Sequence, residues 1–323
     1  MRVLVVGVGA VGARAARQLV ESPGVHRVLV VDADPVRQAA VAESTGKKAR
    51  EDTEDAAADA VLLAGPAGTH VELARHHLTA GRPVVSTSDS IVDVQGLLDL
   101  GPLALEHQVP LVAGAAFSPG YTCVLARHAA ARFDTVTEVH VARVGTGGPC
   151  CARQHHDALT GQALDWRDGD WQRRPAGSGR ELCWFPDPVG AEDCYRAELP
   201  DALLLVPAFP GVERVTARLA ATRRDRFSAH LPMLRKPHPE GRVGAVRVEV
   251  RGRRDGRSEV LVLGALDRPA VASGAVAAQA VRWVADRRAP IGASGLASLE
   301  DPVPFLTELV GVGIKAAAFD GGS

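Results

Sequence analysis

The chain opens MRVLVVGVGAVG, an apolar β-branched run closed by Gly7, Gly9 and Gly12. A strand buried on both faces of a parallel sheet reads as uninterrupted apolar sequence, and Val3, Leu4, Val5 and Val6 supply it. Each glycine has its own task in such a βα turn. Gly7 admits the tight turn, Gly9 lets the backbone approach a pyrophosphate, and Gly12 lets the next helix lie close to the strand. A helix from Ala10 to about Val20 then offers its first amides and the positive end of its dipole to phosphate. The expected cradle is Gly7, Val8, Gly9, Ala10, Val11 and Gly12.

A glycine pattern alone is a weak signal, and its context decides. Ser22-Pro23-Gly24 makes a turn, Val28 to Val31 a second apolar strand, and Asp32 follows at its end, 20 residues beyond Gly12. A carboxylate there accepts both ribose hydroxyls and repels a 2′-phosphate, which favours NAD and leaves NADP possible. Arg37 pulls the other way, because it can reach a 2′-phosphate. The competing reading makes the glycines plain turn residues and Asp32 the cap of a helix beginning at Pro35.

A chain of 323 residues can bury a large core and suggests two domains. Hydrophobic residues at 46% and charged residues at 23% are globular values that argue against disorder. A net charge of −1 and only 4% aromatics give no field to draw polyanions and few platforms for bases, so no nucleic-acid partner is expected. No apolar segment is long enough to cross a bilayer without Gly or Pro, and the expected setting is cytoplasmic, without a membrane. Five cysteines, an odd number, suit reduced thiols better than a disulfide framework. Cys150-Cys151 near His155-His156 matches no common zinc spacing, so no metal is expected.

Strands and helices alternate through the first third, as a doubly wound α/β sheet requires. Lys47 to Arg50 reads as a short third strand, Glu51 to Asp59 as a solvated helix face and Ala60 to Ala64 as a fourth strand. The fifth and sixth strands are placed at Val84 to Thr87 and Leu111 to Gly114. Helices are expected from Thr69, as cap, to Ala80, and from Asp93 to Gln108. Ligands of open α/β sheets lie beyond the carboxyl ends of the strands, so the loops Gly65 to His70, Ser86 to Asp89 and Gly114 to Gly120 are expected site walls. The remaining expected cofactor contacts are Asp32, Ala33, Gly65, Pro66, Ala67, His70, Ser88, Phe117 and Pro119.

After a helical pattern from Tyr121 to Phe133, strand-like segments take over at Thr137 to Val144, Leu203 to Val206, Gly244 to Val250 and Val260 to Leu263. The expected architecture is an N-terminal Rossmann domain (1–120), a second α+β domain built on an antiparallel sheet (121–266), and C-terminal helices (267–323) returning to the first domain. The second region carries 22 basic against 18 acidic residues over Tyr121 to Leu266. A carboxylated small-molecule substrate fits that excess, as does a merely solvated basic surface.

Four stretches carry a family resemblance: AGPAGTHVELARHHLTAGRPVVSTSDS (Ala64 to Ser90), LVAGAAFSPGYTCVLARHAA (Leu111 to Ala130), WFPDPVG (Trp184 to Gly190) and VRVEVRGRRDG (Val246 to Gly256). Together with the glycine fingerprint they make most of the chain resemble the saccharopine dehydrogenase-like family of nucleotide-dependent oxidoreductases. The resemblance implies hydride transfer between NAD(P)H and an amino-acid-derived imine or carbonyl, often in a homodimer. Thr146 to Gly179 is this chain's own segment and leaves the substrate open.

Hydride transfer needs a proton donor beside the reacting carbon. With only four lysines, Lys47, Lys48, Lys236 and Lys315, histidine, tyrosine or carboxylate is the better expectation. His155 and His156, read as loop residues, sit with Arg153 and Asp157 in ARQHHD, an acid–base group, an anion clamp and an orienting carboxylate within five positions. Tyr121 and Asp89 are further catalytic candidates, each with a structural alternative in packing or in accepting backbone amides. Arg153 and Arg174 are the candidate substrate anchors. Trp166 and Trp171 cover a pocket or pin a hairpin. A nucleotide-binding sensor without turnover, or a semialdehyde dehydrogenase on the same fold, remains the alternative function.

Overall fold

The computed structural model describes residues 1–233, 237–239 and 241–319, so that Lys236 lies outside the described residues. The chain divides into two compact units, one made of Met1–Ala116 with Ala270–Leu296, the other of Phe117–Pro269 with the tail from Ala297.

The first unit begins with β1 (Arg2–Val6), α1 (Ala10–Glu21), β2 (Arg27–Val31), α2 (Pro35–Thr45), β3 (Ala49–Glu51), β4 (Ala60–Leu63), α3 (His70–Thr79), β5 (Val84–Ser86), α4 (Ile91–Leu98), α5 (Gly101–Glu106) and β6 (Pro110–Val112). In the second unit α6 (Tyr121–Ala130), β7 (Thr135–Val144), α7 (Pro149–Asp157), β8 (Gln162–Arg167), β9 (Asp170–Pro175), β10 (Glu181–Trp184) and β11 (Ala191–Arg196) come first. They are followed by α8 (Asp201–Leu205), β12 (Arg214–Ala220), α9 (Arg223–Ser228), β13 (Gly244–Arg254) and β14 (Arg257–Asp267). The tail holds α10 (Pro269–Ala285), β15 (Gly292–Ser294), α11 (Val303–Gly311) and β16 (Ala316–Phe319).

Among the described residues, the first unit carries a seven-stranded sheet ordered β15-β6-β5-β4-β1-β2-β3. Its pairings are parallel, and β1 matches β2 from Arg2–Arg27 to Val6–Val31. Val3, Leu4, Val5 and Val28 to Val30 are buried, as strands covered on both faces must be. The strand order reverses between β1 and β4, which puts the crevice of a doubly wound sheet beside the glycine loop.

The second unit is built on a nine-stranded sheet in which β10-β11-β12-β7-β13-β14-β16 run in order and the β8–β9 hairpin joins at β12. The pairings are antiparallel as expected except one: β12 lies parallel to β7, with Arg214 opposite Glu138. The long connection between them makes this possible, because parallel neighbours need a crossover of a dozen residues or more. The apolar run Leu203 to Val206 is helical and not a strand, its first three residues in α8 and Val206 opening a 3-10 turn. A short apolar run carries no period that separates the two.

Three further expectations change. Glu51 closes β3 and residues 52–59 form a loop: Asp52 accepts the Thr53 amide, a local bond that competes with a helix, and Asp59 accepts the distant Arg2 amide. The expected helix from Asp93 to Gln108 is two helices, broken at Asp99-Leu100, because Pro102 in the first turn of α5 has no amide with which to continue the α4 ladder. Thr69 holds the N-cap position of α3 as expected, but its hydroxyl donates to the Pro66 carbonyl and accepts no α3 amide. The tail also divides. Strand β15 adds to the parallel sheet beside β6, whereas β16 pairs with β14 in the second unit, so the tail is not wholly a set of helices returning to the first domain.

Candidate functional site

The loop after β1 is shaped by its glycines. Gly7 has φ +88° and its amide donates to the Val31 carbonyl at 2.8 Å, tying the loop to β2. A Cβ on Gly7 would meet the Gly65 amide nitrogen at 2.5 Å, and one on Gly12 would overlap the Gly7 carbonyl oxygen. At Gly9 a Cβ would project into open space. Gly9 is also the N-cap of α1 and has no side chain to occupy the helix's first amides; the first intrahelical bond runs from Ala13 to Gly9. The amides of Ala10, Val11 and Gly12 therefore precede that ladder, beside a cradle a side chain would fill. A pyrophosphate fits these donors and this opening. The Val8 amide has another task, described next.

Asp32, at the end of β2, has a side chain only 6% exposed and accepts three donors. The Val8 amide reaches Oδ2 at 2.8 Å, while the Asp34 amide at 2.9 Å and the Arg37 guanidinium at 2.6 Å reach Oδ1. Burial opposes the charged form, but the Arg37 guanidinium and the two amides outweigh it and hold the carboxyl below the usual range. A carboxylate offers about four lone-pair sites, so roughly one remains for a ribose hydroxyl. Ala33 is exposed beside it. The cap of α2 is Asp34 and not Asp32, with Oδ1 accepting the Val36 and Arg37 amides.

The other first-unit walls are braced by buried polar groups. His70 is 1% exposed, its Nδ1 2.8 Å from Ser86 Oγ and its Nε2 3.0 Å from the Gly65 carbonyl. Burial lowers its pKa. Its ring ties the Gly65 carbonyl to Ser86 at the end of β5. Ser88 donates to Asp93, and Asp93 accepts the Gly68 amide, clamping the loops after β4 and β5 together. Sequence reading placed Asp93 on an ordinary helix; its one signal was a carboxylate starting an otherwise apolar helix. Asp89 is half-buried in the loop after β5.

In the second unit Phe117 and Pro119 are buried, and the Phe117 ring stacks on Tyr121 at 6.1 Å. Tyr121 is 1% exposed and burial pushes its phenol well above the ordinary value. Burial keeps the Tyr121 phenol protonated, and its ring packs against Phe117 at the start of α6. Next to it, Asp201 Oδ1 accepts from Ser118 Oγ at 3.1 Å, and Arg143 donates to the Ser118 carbonyl. Neither Arg143 nor Asp201 was singled out from sequence, because each stands within apolar surroundings that read as core.

His155 and His156 lie on α7 and not in a loop, with Pro149 at the helix start, where its missing amide costs nothing. His155 is 7% exposed and its Nε2 lies 3.4 Å from Cys151 Sγ, one helical turn away. His156 bonds the Leu231 carbonyl, and Arg153 is exposed and donates to Cys150 Sγ. The helix thus separates the adjacent histidines into two environments. Arg174 stands on the β8–β9 hairpin and donates to Gln172. On that hairpin Trp166 and Trp171 are cross-strand partners with rings 5.0 Å apart, and Trp166 bonds the Val212 carbonyl, so they pin the hairpin.

Known proteins resemble the chain in two ways. Residues 1–87 match the family described as an oxidoreductase family with an NAD-binding Rossmann fold. No curated protein matches the sequence. Among solved structures, the L-Glu-forming saccharopine dehydrogenase of Saccharomyces cerevisiae superposes with a TM-score of 0.74 at 16% identity, covering 98% of this chain and 99% of that one. The amine dehydrogenase of Mycobacterium smegmatis gives 0.56 at 13% identity over 93% and 96% of the two chains. GenD2 from gentamicin A biosynthesis, solved in complex with NAD, gives 0.51 at 18% identity over 99% and 97%. At these identities the likeness is one of fold. The glycine cradle and Asp32 lie within the matched segment.

Proposed function

We propose that this chain is an NAD(P)-dependent oxidoreductase that uses NAD in preference and interconverts a small carboxylated amine or alcohol with its imine or carbonyl. The observation that carries the reading is the cradle at Gly7, Gly9 and Gly12 joined through the Val8 amide to Asp32. The bound nicotinamide supplies hydride acceptance or donation. In this reading the amides of Ala10 to Gly12 bind the pyrophosphate, and Asp32 orients the adenosine ribose. His155 is the proton donor and acceptor, with Cys151 beside it, and the basic side chains Arg153 and Arg174 draw a carboxylate. The amino-acid-derived substrate class is supported by the likeness in fold to saccharopine and amine dehydrogenases, and the homodimer by the family resemblance.

The test is NADH titration by fluorescence, followed by NADH oxidation over a panel of 2-oxo acids with amines and of cyclic imines. Binding with turnover supports the reading. Tight binding without turnover on any of them would favour a nucleotide sensor, and no binding of either nucleotide overturns both.

A further inference from the structure

We propose that Asp34, two residues beyond the ribose-binding carboxylate, is a second determinant of cofactor choice and acts with Asp32 to exclude a 2′-phosphate. The inference rests on the NAD-binding reading above. A 2′-phosphate beside the end of β2 needs a local excess of positive charge, from a helix N-terminus or from arginine. Here both sources are already engaged. The α2 amides of Val36 and Arg37 donate to Asp34 Oδ1 at 3.0 and 3.2 Å. The Arg37 guanidinium forks between the two carboxylates, with Nη2 2.6 Å from Asp32 and Nη1 3.8 Å from Asp34 Oδ2. One cation shared by two anions leaves the subsite net negative before any phosphate arrives. If Arg37 turned toward a 2′-phosphate, both carboxylates would lose their shared partner. The sequence signal is DADPVR, in which the second acid reads only as a helix cap.

The experiment measures NADH and NADPH dissociation constants by fluorescence titration for the wild type, Asp34→Ser and Asp34→Asn. Both substitutions keep a side chain that caps α2, so the fold survives them. Thermal melting verifies this. Removing one of the two negative charges is expected to tighten NADPH about five- to tenfold with NADH changed less than about twofold, from the loss of a unit-charge repulsion at the protein surface. Arg37→Ala, which leaves both carboxylates without their shared cation, is expected instead to weaken NADPH relative to the wild type. If the wild type binds NADH and the Asp34 variants gain nothing for NADPH, the role of Asp34 is overturned and the NAD-binding reading stands. A wild type that binds NADPH more tightly than NADH also overturns the proposal. A wild type that binds neither nucleotide overturns the reading beneath it.

Discussion

The main-chain amide of Val8 donates to the Asp32 carboxylate across 2.8 Å, so the loop that follows β1 and the acid that ends β2 form one assembly. The phosphate end and the ribose end of the expected dinucleotide site are therefore coupled through a single hydrogen bond, and a change at either residue is felt at both.

Replacing Asp32 with alanine is expected to weaken NADH about 10- to 100-fold, the range for losing a charge-assisted acceptor, and to weaken NADPH less, because a like charge leaves with it. Parallel titrations with both nucleotides decide this. Equal losses would contradict the ribose role.

Two glycines three residues apart are expected to separate binding from stability. A Cβ at Gly9 enters open space, so Gly9→Ala should melt like the wild type yet lose about tenfold or more in NADH affinity as the methyl displaces phosphate from the α1 amides. At Gly12 the methyl would overlap the Gly7 carbonyl, so Gly12→Ala should be destabilised by about 1–3 kcal/mol. Denaturant titration alongside nucleotide binding checks both, and similar behaviour of the two variants would refute the assignment.

His77 is expected to make stability fall in mild acid. Burial, the neighbouring His76 and the Arg82 guanidinium, which lies 3.3 Å from Nδ1, lower its pKa to about 4. An unfolded histidine titrates near 6.5. Between those values the unfolded chain takes up a proton that the folded chain refuses, so stability rises with pH across the interval and levels off below it. The loss from pH 7 to pH 4 attributable to this residue is about 1–3 kcal/mol. Unfolding curves of the wild type and His77→Leu at pH 7, 5.5 and 4 measure it; a variant with an unchanged acid response would dismiss His77 as the cause.

Substituting His155 and His156 together by alanine is expected to remove turnover by a factor of about 10² to 10⁴ while NADH affinity stays the same, as loss of a proton-transferring group requires. Since His155 is buried against Cys151 and His156 faces the Leu231 carbonyl, His155→Ala alone should account for most of the loss. Steady-state rates beside binding constants test this, and a fully active double variant would remove the pair from the chemistry.

Much of the first unit was legible in the amino-acid order. Its strands are short apolar runs closed by Gly, Pro or a polar cap, and the glycine spacing and Asp32 sit where local geometry alone demands them. Less local features were hidden. The parallel pairing of β12 with β7, the helix at Leu203 and the split of the tail depend on which distant segment each apolar face meets, and composition within a short window carries no such information. The same holds for side chains: Asp32 reads as a ribose acceptor, but its capture of Val8, Asp34 and Arg37 follows from tertiary placement. Tyr121 reads as a helix-start phenol and turns out sealed beneath Phe117. Period, propensity and turn chemistry act over a few residues and therefore set the elements, while burial and partner choice arise only when remote segments close on one another, and these decided which polar groups remain available for chemistry.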